Sequence, residues 1–315
     1  VDVPGNLRLL QVSDDLSQVD FDLGVTGVGT QPINDLIAFR VNAGGVVEIE
    51  VEQGDLYLGR IASGDSVDLR AASDILDFFD DADRPVINIF TGNLTNPLTG
   101  NVYLQTGTGD IGMASNFVDV EILKGDLNMD DDEDAFINSI TDLNVGTATS
   151  TDGNITLNVD GLAYIGQITA LGDGIADPAT SLTDGLVTIN STSNILDRNP
   201  SYPAPNIIAT GAILTAAFGI GDAANPFDTQ ISRLEASIPG GGIWLDNSGD
   251  LVIGDISSMV GVSALKTVDI SVFSDLTINE NIDSEGGPVL LDAAGDIIVN
   301  AGILSLGGEV VLLAD

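Results

Sequence analysis

The sequence predicts an all-β fold, a β-solenoid with coils of roughly 21–25 residues, on three observations. First, a strand–turn–strand unit recurs in the last third of the chain. Ile243-Trp244-Leu245-Asp246 passes through Ser248-Gly249-Asp250 into Leu251-Val252-Ile253, and comparable units open at Thr267, Pro288 and Glu309. Counted from Gly242, the spacings are 25, 21 and 21 residues. Second, the chain is 43% hydrophobic but only 5% aromatic, so its core is aliphatic, which suits stacked β-ladders. Third, 37 glycines supply closely spaced turns, and no long amphipathic helix pattern appears.

A period in the low twenties is too short for a propeller blade and leaves no room for a packed helix. One such unit cannot bury its apolar face alone. Stacking the next unit on it, at about 4.8 Å, pairs the backbones and makes a continuous core.

Taken in order, residues 1–26 are strand-like and rather polar, with alternation in 7–10 and 19–23. A longer phrase follows: Gly27-Val28-Gly29, then Gly44-Gly45-Val46-Val47-Glu48-Ile49, then Gly54-Asp55-Leu56-Tyr57-Leu58. It returns as Gly219-Ile220-Gly221-Asp222 with Asn225-Pro226-Phe227, then Gly241-Gly242-Ile243-Trp244-Leu245, then Gly249-Asp250-Leu251-Val252-Ile253. A partial copy is Asp110-Ile111-Gly112, Phe117-Val118-Asp119 and Gly125-Asp126-Leu127. Residues 86–90, 102–105, 155–159 and 186–190 read as further rungs, and 73–83 could hold one or two helical turns. Irregular inserts are expected at 74–85, 92–100, 123–138, 171–184 and 197–205, leaving the solenoid where function is usually found. No composition break forces a boundary, so 1–315 reads as one continuous solenoid.

The charge is extreme. Against 48 acidic residues stand 2 Lys and 7 Arg, a formal net charge of −39. That excludes nucleic acid as a partner, and an anionic membrane surface would repel the chain. No apolar run reaches the ~18 residues of a membrane span, so no membrane insertion is expected. Self-repulsion on this scale calls for an extended shape, bound cations or a salty medium, and a halophile's acidic surface is a competing explanation. Cys and His are both absent, which removes disulfides and the commonest metal ligand. The chain begins at Val1 and stops inside a rung at Val310-Val311-Leu312-Leu313-Ala314-Asp315. A processed or longer protein is therefore expected, with the next coil supplied by more of the chain or by another copy.

The sharpest local signal is Gly125-Asp126-Leu127-Asn128-Met129-Asp130-Asp131-Asp132-Glu133-Asp134. Oxygen ligands at alternate positions, namely Asp126, Asn128, Asp130, Asp132 and Asp134, suit a loop wrapped round calcium. The competing reading is a solvated acidic loop. Gly-Asp turns at Asp55, Asp65, Asp110, Asp126, Asp173, Asp222, Asp250, Asp255 and Asp296 would stack into an Asp column able to share cations. The plainer reading is that each Asp caps its own turn. The sequences at Asn93, Asn154 and Asn190 match the glycan-acceptor pattern, a short and easily accidental motif. Trp244, Tyr57 and Tyr103 are candidates for stacking on sugars, although rung aromatics more often cover the core.

Two resemblances follow from these residues. The phrase from Ile220 through Asn225-Pro226-Phe227, Gly241-Gly242-Ile243-Trp244-Leu245 and Gly249-Asp250-Leu251, with Ala293-Ala294-Gly295-Asp296, resembles repeats of large bacterial surface proteins of the filamentous-haemagglutinin and autotransporter-adhesin type. This resemblance implies a right-handed parallel β-helix, export to the cell surface, and adhesion or filament building. The 125–136 stretch is similar to dockerin-type calcium loops, except that Asp131 stands at the turn glycine and Ile137 at the last acidic ligand. The expectation is a non-enzymatic extracellular structural or adhesive protein of a surface fibre or matrix. It would stack end to end with copies of itself or join a longer chain, with calcium as stiffener and surface glycans as ligands. The alternative is a carbohydrate-binding or polysaccharide-cleaving β-helix, although two lysines and seven arginines make a poor charge clamp for acidic sugars.

Overall fold

The computed structural model describes residues 2–3, 7–9, 36–43, 45–79, 86–92, 100–172, 185–199 and 204–315, those before 41 by backbone alone. Among the described residues there are 30 strands and no helix, in about 11 turns of parallel β-solenoid. They form two compact units, 1–151 and 152–315. The phrases expected at 19–23 and 27–33 lie outside the described residues, as do 80–85, 93–99, 173–184 and 200–203 of the expected inserts.

In the first unit, one face stacks Val47–Val51, Val67–Ala71, Val102–Thr106 and Leu127–Asp131 in parallel, and Leu143–Ser150 follows with a bulge. Strand alternation sends every second side chain inward, so Val47, Val67, Val102 and Leu127 form one buried column. Ile49, Leu69, Leu104 and Met129 form the next. Each such burial contributes on the order of 1.5–3 kcal/mol. The third inward column changes chemistry along the stack, from Val51 and Ala71 to Thr106, Asp131 and Ser150. A second face runs through Leu56–Ser63, which bends so that its start pairs with Ile75–Asp77 and its end with Ile89–Thr91. The helical turns expected at 73–83 are thus replaced at 75–77 by a strand, because Ile75 completes the core column over Leu56, while Leu76 pairs with Tyr57 on the other face.

The second unit ends in the most regular coils. Ile243 lies over Val268, Val268 over Val289 and Val289 over Val310. Leu251, Leu276 and Ile297 make a second column, and Val262, Ile282 and Ile303 a third. The repeat of 21 read from the sequence is this three-sided coil. Its one longer member, of 25, has a turn of residues 254–261 where the next coils have 279–281 and 300–302.

Both units contain the same buried polar staple. In the first, the Asn88 side-chain amide donates to Asp77 Oδ1 (2.6 Å) and to the Leu58 and Gly59 carbonyls, and Asn88 Oδ1 accepts from Asp119 N–H (2.7 Å). In the second, Asn206 donates to Asp197 Oδ1 (2.8 Å) and to the Ile165 and Gly166 carbonyls, and accepts from Asp228 N–H (3.0 Å). Gly112 (φ 77°) and Gly221 (φ 59°) open the matching tight turns, where a Cβ would lie 2.6 Å from Phe136 O or 2.4 Å from Trp244 O. The same hydrogen-bonded arrangement thus occurs once within each unit.

Candidate functional site

Residues 123–138 do not leave the coil as a loop. Leu127–Asp131 and Ala135–Ser139 are strands, joined by a short turn. Within the first strand Asn128 and Asp130 are alternate residues about 6.8 Å apart on one face, while Asp126, Asp132 and Asp134 flank it. Each expected ligand has its own partner. Asn128 Oδ1 accepts from Thr147 N–H (3.2 Å), Asp130 Oδ2 from the Gln105 amide (3.1 Å) and Asp132 Oδ1 from the Thr151 hydroxyl (2.8 Å). Asp126 N–H donates to Asn101 Oδ1 (3.0 Å), and Asp134 N–H to Asp110 Oδ1 (2.9 Å). Among the described residues no three acidic side chains come together as a metal group.

The residue between those ligands is the unusual one. Strand phase turns Leu127, Met129 and Asp131 inward, and Asp131 is 2% exposed. Thr106 Oγ1 lies within hydrogen-bond distance of both Gly109 O (2.9 Å) and Asp131 Oδ1, but a hydroxyl has one proton to give. The network closes when Asp131 is a neutral acid donating to Thr106 while Thr106 donates to Gly109. Asp131 Oδ2 has no hydrogen-bond partner among the described residues. Burial pushes this carboxyl up to about 8, and the negative charges of Asp110 and Asp134 act in the same direction.

Asp columns do form, and they cap the neighbouring coil. Asp74 N–H donates to Asp55 Oδ1 (3.3 Å), Asp110 N–H to Asp74 Oδ1 (3.0 Å) and Asp134 N–H to Asp110 Oδ1. In the second unit Asp275 N–H donates to Asp250 Oδ1 (3.3 Å) and Asp296 N–H to Asp275 Oδ1 (2.8 Å). Asp222 caps its own turn, through Ala224 and Asn225 N–H, and Asp173 lies outside the described residues. Of the glycan-acceptor asparagines, Asn154 Oδ1 accepts from Leu186 N–H, Asn190 donates to Asn158, and Asn93 is outside the described residues.

Carboxylates stacked at about 4.8 Å repel one another. Burial and then its neighbours Asp134 and Asp74 raise the Asp110 carboxyl, and burial followed by Asp110 raises Glu133. Raising NaCl from about 0.01 to 1 M shortens the screening length from ~30 to ~3 Å. The melting temperature is expected to climb over that range. A flat profile would remove column repulsion from the account, and a drop on chelation at constant ionic strength would assign the effect to a held divalent ion.

No family model, curated protein or solved structure matches this chain.

In the second unit the inward columns stay in register to the last described coil: Val289, Leu291 and Ala293 are buried, and Val310, Leu312 and Ala314 pair with them.

Proposed function

We propose that the protein is a non-enzymatic structural element of an extracellular fibre or matrix and that it extends by adding coil upon coil. The observation that carries this reading is the parallel stack itself, in which Ile243, Val268, Val289 and Val310 follow one another in register along one column. Each coil of such a stack offers the same edge and the same columns to its neighbour, so the partner it fits is another parallel coil in register. The resemblance of the 220–253 phrase to repeats of bacterial surface adhesins supports a place at the cell surface. Cations enter this reading as counter-ions spread along the Asp columns.

Analytical ultracentrifugation and negative-stain electron microscopy of the purified chain test it. End-to-end assemblies that lengthen with protein concentration are expected. Leu312→Lys places a charge in one of these columns at a half-exposed position and should hold the protein monomeric with an unchanged melt. A parent protein that stays monomeric at every concentration overturns the proposal.

A further inference from the structure

The first unit carries on its outer surface Tyr103, one of the aromatics that the sequence offers for stacking on a sugar. Outward residues of three adjacent strands face solvent in register: Asp68 beside Tyr103 beside Asn128, and Arg70 beside Gln105 beside Asp130. They line a shallow cavity of about 230 Å³.

Tyr103 is 44% exposed, and its hydroxyl accepts a hydrogen bond from Asn101 Nδ2 (3.1 Å). Asn101 lies two residues back, about 6.8 Å along the strand, a span comparable to the length of a tyrosine side chain. This bond tethers the half-exposed ring toward Asn101. Its neighbours are fixed as well. Asp68 holds Arg70 through two N–H bonds (3.0 and 2.9 Å), Gln105 donates to Asp130, and Thr147 N–H fixes Asn128 Oδ1 and so directs its amide hydrogens elsewhere. Side chains ordered in advance lose little entropy on binding.

The surroundings select the ligand. Val102–Thr106 is paired along both edges, so no peptide can add to it as a strand. Glu48 and Glu50 pair in register with Asp68 and Arg70, and with Asp130 they make the local field negative, which repels phosphates, sulfates and acidic sugars. The Arg70 guanidinium on the adjacent strand opposes a second cation over the ring. A neutral polyol remains. Its C–H face can stack on an aromatic ring while each hydroxyl needs both a donor and an acceptor nearby.

We propose that this face binds a neutral glycan chain, with one pyranose stacked on Tyr103 and its hydroxyls bonded by Asp68, Gln105, Asn128 and Asp130. The inference does not rest on end-to-end growth, which concerns a different unit. It is tested by calorimetry and saturation-transfer NMR on the full chain, with maltohexaose, cellohexaose and chitohexaose as probes. At least one should bind, with transfer to its ring C–H protons. Tyr103→Ala should weaken it by about tenfold or more, with an unchanged melt because the ring is on the surface. Tyr103→Phe keeps the ring but loses the Asn101 tether and should fall between. Absence of binding to all three probes, equal binding by Tyr103→Ala, or a preference for tetramethylammonium or for a sulfated glycan overturns it.

Discussion

Asp131→Asn is expected to melt at a higher temperature than the parent protein at pH 7, with the gap closing by pH 4. Burial pushes the Asp131 carboxyl up to about 8 in the folded protein, against an ordinary value of 3.8. Between those values the folded protein keeps a proton that the unfolded chain releases, so this group's contribution falls as pH rises. Below 3.8 both states are protonated and nothing is lost. At pH 7 the difference is on the order of 4 kcal/mol, from about 1.4 kcal/mol per pH unit. An asparagine amide can donate to Thr106 in place of the acid proton without titrating. Burial is also the leading cause of the upward shifts at Asp110, Glu133, Asp228, Asp246 and Asp269. The parent protein should therefore be most stable on the acid side of neutrality. Parallel pH-stability curves for parent and variant would show that Asp131 is not held neutral.

Glu235→Ala should cost about 3–5 kcal/mol, read by denaturant titration. Glu235 is fully buried on the outer side of its strand, beneath the turn of residues 254–261. Its Oε1 accepts from both Ile256 and Ser257 N–H (2.9 Å each), and its Oε2 accepts from the Ser257 hydroxyl. Removing the carboxyl leaves two backbone donors without an acceptor under a turn that also contains Asp255 at φ 61°. Glu235→Gln retains Oε1 and should lose only about 1 kcal/mol. Hydrogen exchange in Glu235→Ala should rise first at 254–261, since a solenoid loosens locally before it unfolds as a whole. Equal losses for Ala and Gln would mean that the two backbone bonds contribute little.

The coil repeat was readable because its cause is local. Valine, isoleucine and leucine at fixed phase, with Gly-Asp turns between, define both the strand and the next strand beneath it. Even the spacing of 25 was visible, although not its reason, because only the structure reveals that 254–261 is held down by Glu235. The 125–134 stretch reads two ways for a definable reason. Oxygen-bearing side chains at every second position satisfy a cation-binding loop and equally the outer face of a strand. Leu127 and Met129, inward in alternation with them, were the signal that decides for the strand, and they place Asp131 in the core. The Asp77–Asn88 and Asp197–Asn206 staples were not legible, because each pair is separated by an insert of a different length. Tyr103 was visible as an aromatic on a rung, but its orientation depends on Asn101, a hydrogen bond that no pattern announces.

The last three coils have a consequence for how such a chain can change in size. Val268, Val289 and Val310 are related by simple translation, as are Leu276 and Ile297. A tandem duplication of one such segment in the gene would insert a layer whose every neighbour already exists above and below it. Length can then vary by whole layers while each old contact is conserved, much as a crystal grows along a single axis without changing its lattice.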